Sequence, residues 1–176
     1  MTYRKVSLAL VFVMALAAII ATLGTQSSIQ GGGSSAPALE GSWNVRISFT
    51  TGPNAGSTGI GLMTYARGGG LVNSAPTAIP PVPLTITFST GHGAWERTGG
   101  KEFAQTWVSN VYNNGLQVGF LEVRDAITLN RDGDAFDGRR SFRVFDLAGN
   151  PVPGPASCAT LHGTRINVEP PDATCL

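Results

Sequence analysis

From Gly41 to Thr50 the chain alternates without a break. Trp43, Val45, Ile47 and Phe49 fall on one face, and Ser42, Asn44, Arg46, Ser48 and Thr50 on the other. A period of two with one apolar face predicts a half-buried β-strand. The same pattern recurs along the chain, between turns rich in glycine. Thr58 to Tyr65 and Leu71 to Ser74 flank Arg67-Gly68-Gly69-Gly70, and Leu84, Ile86 and Phe88 alternate after a proline-rich stretch from Pro76 to Pro83. Further strands are predicted over Gly93 to Arg97, Phe103 to Tyr112, Leu116 to Asn130, Ala135 to Asp146 and Ala159 to Val168. Asn114-Gly115 and Asp132-Gly133 separate alternating runs and are strong hairpin signals, because both central positions of such a turn favour positive φ.

The pattern gives eight strands, or nine if Leu84 to Phe88 stands alone, and no segment with helical periodicity. Eight antiparallel strands with one apolar face each close into a small up-and-down barrel, which removes the exposed edges of an open sheet. A β-sandwich is the alternative. The content of 23 glycines and 11 prolines suits many turns.

The two ends read differently from the strands. Arg4 and Lys5 precede an apolar run from Val6 to Leu23. A basic start followed by an apolar core is the pattern of an export signal, and at roughly 18 residues the run also approaches the length of a membrane span. Residues 1–23 are therefore expected to be a signal peptide or membrane anchor, forming an export helix. Residues 24–38, with Gly31-Gly32-Gly33-Ser34-Ser35, read as a flexible linker. Residues 39–168 form the barrel domain and 169–176 a C-terminal tail. The domain is expected outside the cytoplasm, whether periplasmic, secreted or membrane-anchored.

Charge narrows the field. Charged residues make up 13% of the chain and the net charge is +1, which gives no electrostatic basis for nucleic-acid binding. The two cysteines, Cys158 and Cys175, form an even count in an exported chain and are expected to pair as a disulfide. They are too few to suggest a metal site, and no cofactor is implied.

Register gives the sharpest expectation about a site. A two-residue turn at Asp132-Gly133 sets Leu129 opposite Phe136, Ile127 opposite Gly138, Val123 opposite Phe142 and Leu121 opposite Val144. The same apolar face then carries Asp125 opposite Arg140. One bulged residue near Gly119 pairs Trp107 with Val123, Gln105 with Asp125 and Phe103 with Ile127. A three-residue turn at Thr98-Gly99-Gly100 sets Trp95 opposite Phe103 and Gly93 opposite Gln105. The expected interior layer is Gly93, Gln105, Asp125 and Arg140, bounded by Trp95, Phe103 and Trp107. As a site, it is the polar anchor of a ligand cavity that is otherwise apolar. As structure, it is an internal ion pair that fixes register.

No catalytic residue is assigned. His92 faces outward by this register, His162 is isolated near the rim, and Ser89 and Ser109 have no nucleophile context. Asn130-x-Asp132-x-Asp134-x-x-Asp137 lacks the central glycine and closing glutamate of a calcium loop, so it reads as a solvated hairpin tip.

Gly41-Ser42-Trp43 at the entry of the first strand, together with Arg165 on the last, resembles the calycin barrels, the lipocalins and fatty-acid-binding proteins. That resemblance implies that Trp43 plugs one end of the barrel with Arg165 over its ring. A Thr-Asp-Tyr-like loop and a C-terminal helix, found in lipocalins, are missing from the sequence. Leu39-Glu40-Gly41-Ser42-Trp43 and the segment from Gly91 to Gly100 (Gly-His-Gly-Ala-Trp-Glu-Arg-Thr-Gly-Gly) also resemble a group of exported bacterial proteins, a likeness that brings no activity with it. The expected function is binding of a small, mostly apolar ligand in the barrel. The alternatives are an envelope interaction module with a filled barrel, and a small isomerase or cyclase resembling the allene oxide cyclase and dirigent barrels.

Overall fold

A computed structural model describes residues 38–74 and 85–170. It contains nine strands: β1 (Gly41–Phe49), β2 (Thr58–Tyr65), β3 (Gly70–Ser74), β4 (Ile86–Phe88), β5 (Gly91–Arg97), β6 (Glu102–Asn113), β7 (Leu116–Leu129), β8 (Ala135–Asp146) and β9 (Ser157–Arg165). The described residues hold no helix.

Eight of the strands run as an antiparallel meander, and the circle closes because β9 pairs with β1 and β6 pairs with β7. The fold is a closed antiparallel barrel. The ninth strand, β4, pairs with β6 from Val111 to Asn113, directly beyond the stretch of β6 that pairs with β5. Ser89 joins the two pairings: its hydroxyl accepts from the Asn110 amide and its carbonyl accepts from the Ser109 hydroxyl. With β4 and β5 covering successive parts of β6, one long strand is matched by two short ones.

The hairpins follow from local chemistry. At the β6–β7 turn Asn114 and Gly115 both have positive φ, at 49° and 79°, as a tight two-residue hairpin demands. The extra residue near Gly119 is present, since the register shifts between Val111 and Tyr112. At the β7–β8 turn the Asn130 side-chain oxygen accepts from the amides of Gly133, Asp134 and Ala135. That hydrogen bonding accounts for the polar tip without a cation, and among the described residues no cluster of His, Cys, Asp or Glu suits a metal.

The β7–β8 register is the expected one from Leu129–Phe136 through Asp125–Arg140 to Leu121–Val144. The β5–β6 register differs from expectation. The loop is Gly99-Gly100-Lys101, one residue later than Thr98-Gly99-Gly100, because the Glu102 carbonyl accepts from the Thr98 and Gly99 amides. Moving the turn by one residue slides the pairing by two. Trp95 therefore faces Gln105, and Gly93 faces Trp107, while Arg97 takes the place opposite Phe103. The inward face is unchanged, because a slip of two preserves the side.

The loops beside Ala66, Lys101 and Gly133 lie at the same end of the barrel as the start of β1. The turns after Phe49, Asn113 and Asp146 lie at the other. The first is here called the closed end and the second the open end. The core runs from Leu39, Trp43, Phe103 and Phe136 near the closed end to Phe49 and Val123, with Phe142 and Leu121 partly buried toward the open end. Inward glycines make room for rings. A Cβ at Gly163 would lie 2.3 Å from the Phe136 ring, and one at Gly91 would lie 2.5 Å from the Trp107 ring. Large and small positions thus interlock, as close packing of an interior requires.

Cys158 is a free, half-buried thiol beside Ser141 on the outer wall. The expected partner, Cys175, lies outside the described residues, as do the export helix of residues 1–23, the linker up to residue 37, the proline-rich stretch and residues 171–176.

Candidate functional site

Three neighbouring strands, β6, β7 and β8, bring Gln105, Asp125 and Arg140 into line across the barrel interior. Asp125 and Arg140 are 5% and 3% exposed. Their pairing is bidentate: Nε of Arg140 donates to Oδ1 of Asp125 at 2.8 Å, and Nη2 donates to Oδ2 at 2.8 Å. Gln105 Nε2 also donates to Oδ2. A guanidinium fork on a carboxylate is the strongest form of protein ion pair, and burial removes the screening that weakens surface pairs. The guanidinium also lies 5.3 Å from the Trp107 ring centre and 5.9 Å from that of Phe142.

The second half of the site comes from β2 and β3. Met63 Sδ receives three donors: the Tyr65 hydroxyl at 3.4 Å, Arg140 Nη2 at 3.7 Å and Gln105 Nε2 at 3.8 Å. Asn73, 1% exposed, sits directly opposite Met63 across the β2–β3 ladder. Burial, reinforced by the Asp125 charge, pushes the Tyr65 phenol well above its ordinary value, against smaller opposing contributions from Arg140 and Gln105. Tyr65 therefore stays a neutral hydroxyl.

Three polar atoms of this interior have no hydrogen-bond partner: Asn73 Oδ1, Gln105 Oε1 and Trp107 Nε1. Buried polar groups are normally satisfied, and leaving one unmet costs about 1–3 kcal/mol.

The closed end is built around Trp43 and Arg165. Arg165 lies over the Trp43 ring at 4.3 Å. Its side chain donates to the carbonyls of Gly133, Glu40 and Ala38, and Trp43 Nε1 donates to the Leu39 carbonyl at 2.9 Å. Gly41 is fixed by this contact: its φ is +117°, and a Cβ there would lie 2.8 Å from Arg165 Nη1. Trp95 and Phe103 belong to this end as well. Their rings are 5.8 Å apart, Trp95 packs edge-on against Tyr65, and its Nε1 donates to the Ala66 and Gly70 carbonyls. Of the expected ligand-lining residues, Gln105, Asp125, Arg140 and Trp107 are brought together. Trp95 and Phe103 back them from the closed side. Gly93, expected in the layer, instead lies beneath Trp107.

The participants not foreseen from sequence are Met63, Tyr65 and Asn73. In Thr58–Tyr65, Ile60 and Leu62 occupy one face and Met63 and Tyr65 the other, so alternation alone does not choose the inward side. The chosen side follows from pairing with Trp43, opposite Met63.

Other polar groups lie on the outer wall. His162 Nδ1 is 2.9 Å from Asp137 Oδ1, with both side chains more than half exposed. They border a shallow concavity of about 630 Å³ that also includes Arg46, Glu102 and Arg139. It lies on the side of the sheet away from the polar layer, and no side chain there is both buried and unpaired, so the interior is the stronger candidate. His92 is exposed between Val72 and Val108.

No protein-family model matches the chain, and no curated protein matches it. A solved structure, that of Rv2717c from M. tuberculosis, aligns over 73% of this chain and 93% of its own at 15% identity, with a TM-score of 0.35.

Proposed function

We propose that this chain is an exported, calycin-like barrel that binds a small, mostly apolar ligand from its open end. The observation that carries the reading is the set of buried and unpartnered atoms on Asn73, Gln105 and Trp107. Small-molecule sites are apolar cavities with a few placed polar groups, and these three are polar groups awaiting a partner. The inward residues toward the open end add apolar wall: Phe142 and Leu121 are partly buried, and Val144 is 42% exposed although it faces inward. Kinship with the calycins is supported by Arg165 over Trp43, and export by the basic and apolar start of the sequence. A catalytic role for Asp125 is disfavoured, because Arg140 and Gln105 already occupy both of its oxygens.

A second reading, an envelope interaction module with a filled barrel, is favoured by the seating of Trp107 and Phe136 over glycines. Native mass spectrometry of protein purified from its source separates the two. A co-purified small molecule released on unfolding supports the ligand reading, and an empty protein supports the module. N-terminal sequencing of the same material tests export: loss of residues up to about Leu23 supports it, and Met1 or Thr2 on a membrane-bound product replaces the cleaved signal with an anchor.

A further inference from the structure

Independently of the interior reading, we propose that the hollow on the outer wall seats a phosphate group between the guanidinium groups of Arg46 and Arg139, over Thr160. The register explains why a hollow stands there. Ser48, Thr160, Arg139, Ala126 and Ala104 form one outward row across β1, β9, β8, β7 and β6. The next row toward the closed end is Arg46, His162, Asp137, Thr128 and Glu102. Apart from Arg139 the first row consists of small side chains, and the second mostly of longer ones, so the wall dips beside Thr160 and Ala126. Arg46, Ser48, Arg139 and Thr160 all line the resulting space of about 630 Å³.

The two arginines are unmatched on this wall. Among the described residues neither Arg46 nor Arg139 has an acidic partner, and neither guanidinium donates a hydrogen bond. Two acids border the hollow without neutralising them. Asp137 is turned to His162, whose Nδ1 lies 2.9 Å from its Oδ1. Glu102 stands on β6, two strands from Arg139, which is about 10 Å across the sheet. Arg124, one further row toward the open end, differs in that it is paired with Glu122 at 3.0 Å.

Donor placement selects the ligand. Thr160 lies directly between Ser48 and Arg139 in its row, and Arg46 is the neighbouring outward residue of Ser48 on β1. An anion over Thr160 therefore has a guanidinium fork on either side, with the Ser48 and Thr160 hydroxyls on the floor between them. A planar carboxylate is filled by one fork. A phosphate offers oxygens in several directions and about two negative charges for the two cations. Arg46, Arg139 and Thr160 are all exposed, so binding there is sensitive to ionic strength.

The test titrates protein purified from its source with inorganic phosphate, methyl phosphate and acetate, followed by NMR at constant ionic strength held with sodium chloride. The expected result is saturable movement of the Ser48, Arg139 and Thr160 amide signals with either phosphate, and weaker binding of acetate. Tighter binding of methyl phosphate identifies an ester as the natural form and tighter binding of inorganic phosphate the free ion; both support the site. Arg46→Gln and Arg139→Gln, changes at exposed positions, should each weaken phosphate at least about tenfold, the worth of one charge-assisted hydrogen bond. Arg124→Gln should leave it within about twofold, since that arginine is screened from the seat by solvent. Absence of saturation, or equal loss in all three variants, reduces the effect to diffuse attraction and overturns the proposal. So does saturable binding that ignores Arg46→Gln and Arg139→Gln, or acetate that binds as tightly as phosphate. Each of these failures leaves the interior reading standing, because no residue of the seat faces the barrel interior.

Discussion

Arg165 and Arg140 both face into the barrel and both lie over a tryptophan, but the two are held by different chemistry. Arg165, 4.3 Å from the Trp43 ring, gives its protons to three backbone carbonyls, and Trp43 Nε1 has the Leu39 carbonyl. Arg140, 5.3 Å from the Trp107 ring, is held by the carboxylate of Asp125, and Trp107 Nε1 has no acceptor. At the closed end, then, a cation is used to tie chain segments together with the tryptophan N–H satisfied. In the interior the cation is neutralised, while neighbouring amide and indole groups are left unmatched. The contrast separates an arginine that ties backbone segments together from one that is paired with a buried carboxylate.

The largest test of this contrast removes the interior cation. Arg140→Leu leaves Asp125 buried and unpaired and should destabilise the protein by about 3–5 kcal/mol in urea denaturation. Asp125→Asn combined with Arg140→Leu should recover part of that loss, since an unpaired charge costs more than an absent pair. Arg124, more than half exposed beside Glu122 on the outer wall, is the control, and Arg124→Ala should cost about 0–1 kcal/mol. An Arg140→Leu protein as stable as wild type would place the pair in solvent and contradict the register.

Arg165→Leu comes next. It removes the carbonyl bonds and the stacking on Trp43 but strands no buried counter-charge, so about 2–3 kcal/mol is expected. The double-mutant behaviour should also differ: Arg165→Leu has no single partner whose removal restores stability. Rescue of Arg165→Leu by one carboxylate substitution elsewhere would erase the distinction between the two arginines.

The third prediction concerns alkaline pH. Burial raises the folded-state pKa of Tyr65 above its unfolded value, so its contribution is intact below about pH 10 and declines as pH rises beyond that, because only the unfolded chain can then release the proton. The slope approaches about 1.4 kcal/mol per pH unit for this one group. Stability measured between pH 9 and 11 should fall less steeply for Tyr65→Phe than for wild type. Parallel curves would mean that Tyr65 is not the buried neutral hydroxyl beside Met63.

The smallest effect belongs to the outer wall. His162 and Asp137 are close but exposed, and His162→Asn should change stability by less than about 1 kcal/mol and leave ligand binding untouched. A large loss of binding on that substitution would move the site from the interior to the outer concavity.

How much of this was legible along the chain depended on the strand. Where alternation is clean and the turn chemistry strict, as from Leu116 to Asp146, the faces and partners followed from sequence, including Asp125 opposite Arg140 and the bulge near Gly119. The β5–β6 loop was read one residue early because Thr98-Gly99-Gly100 and Gly99-Gly100-Lys101 are both acceptable turns. The Glu102 carbonyl, accepting from Thr98 and Gly99, selects between them. Half of the candidate site was hidden for another reason: Met63 and Asn73 lie on strands with apolar residues on both faces.

The sequence by itself determined the strands, their approximate ends and the inward stripe on the long hairpin, because period-two patterning and Asn-Gly or Asp-Gly turns act locally. Only the tertiary structure decided which residues meet across the barrel. Bringing β2 and β3 round to face β6 and β8 joins Met63, Tyr65 and Asn73 to Gln105 and Arg140, a relation between chain positions far apart that no local pattern encodes. Whether a buried polar atom finds a partner is settled at the same step, since satisfaction depends on every strand that lines the interior.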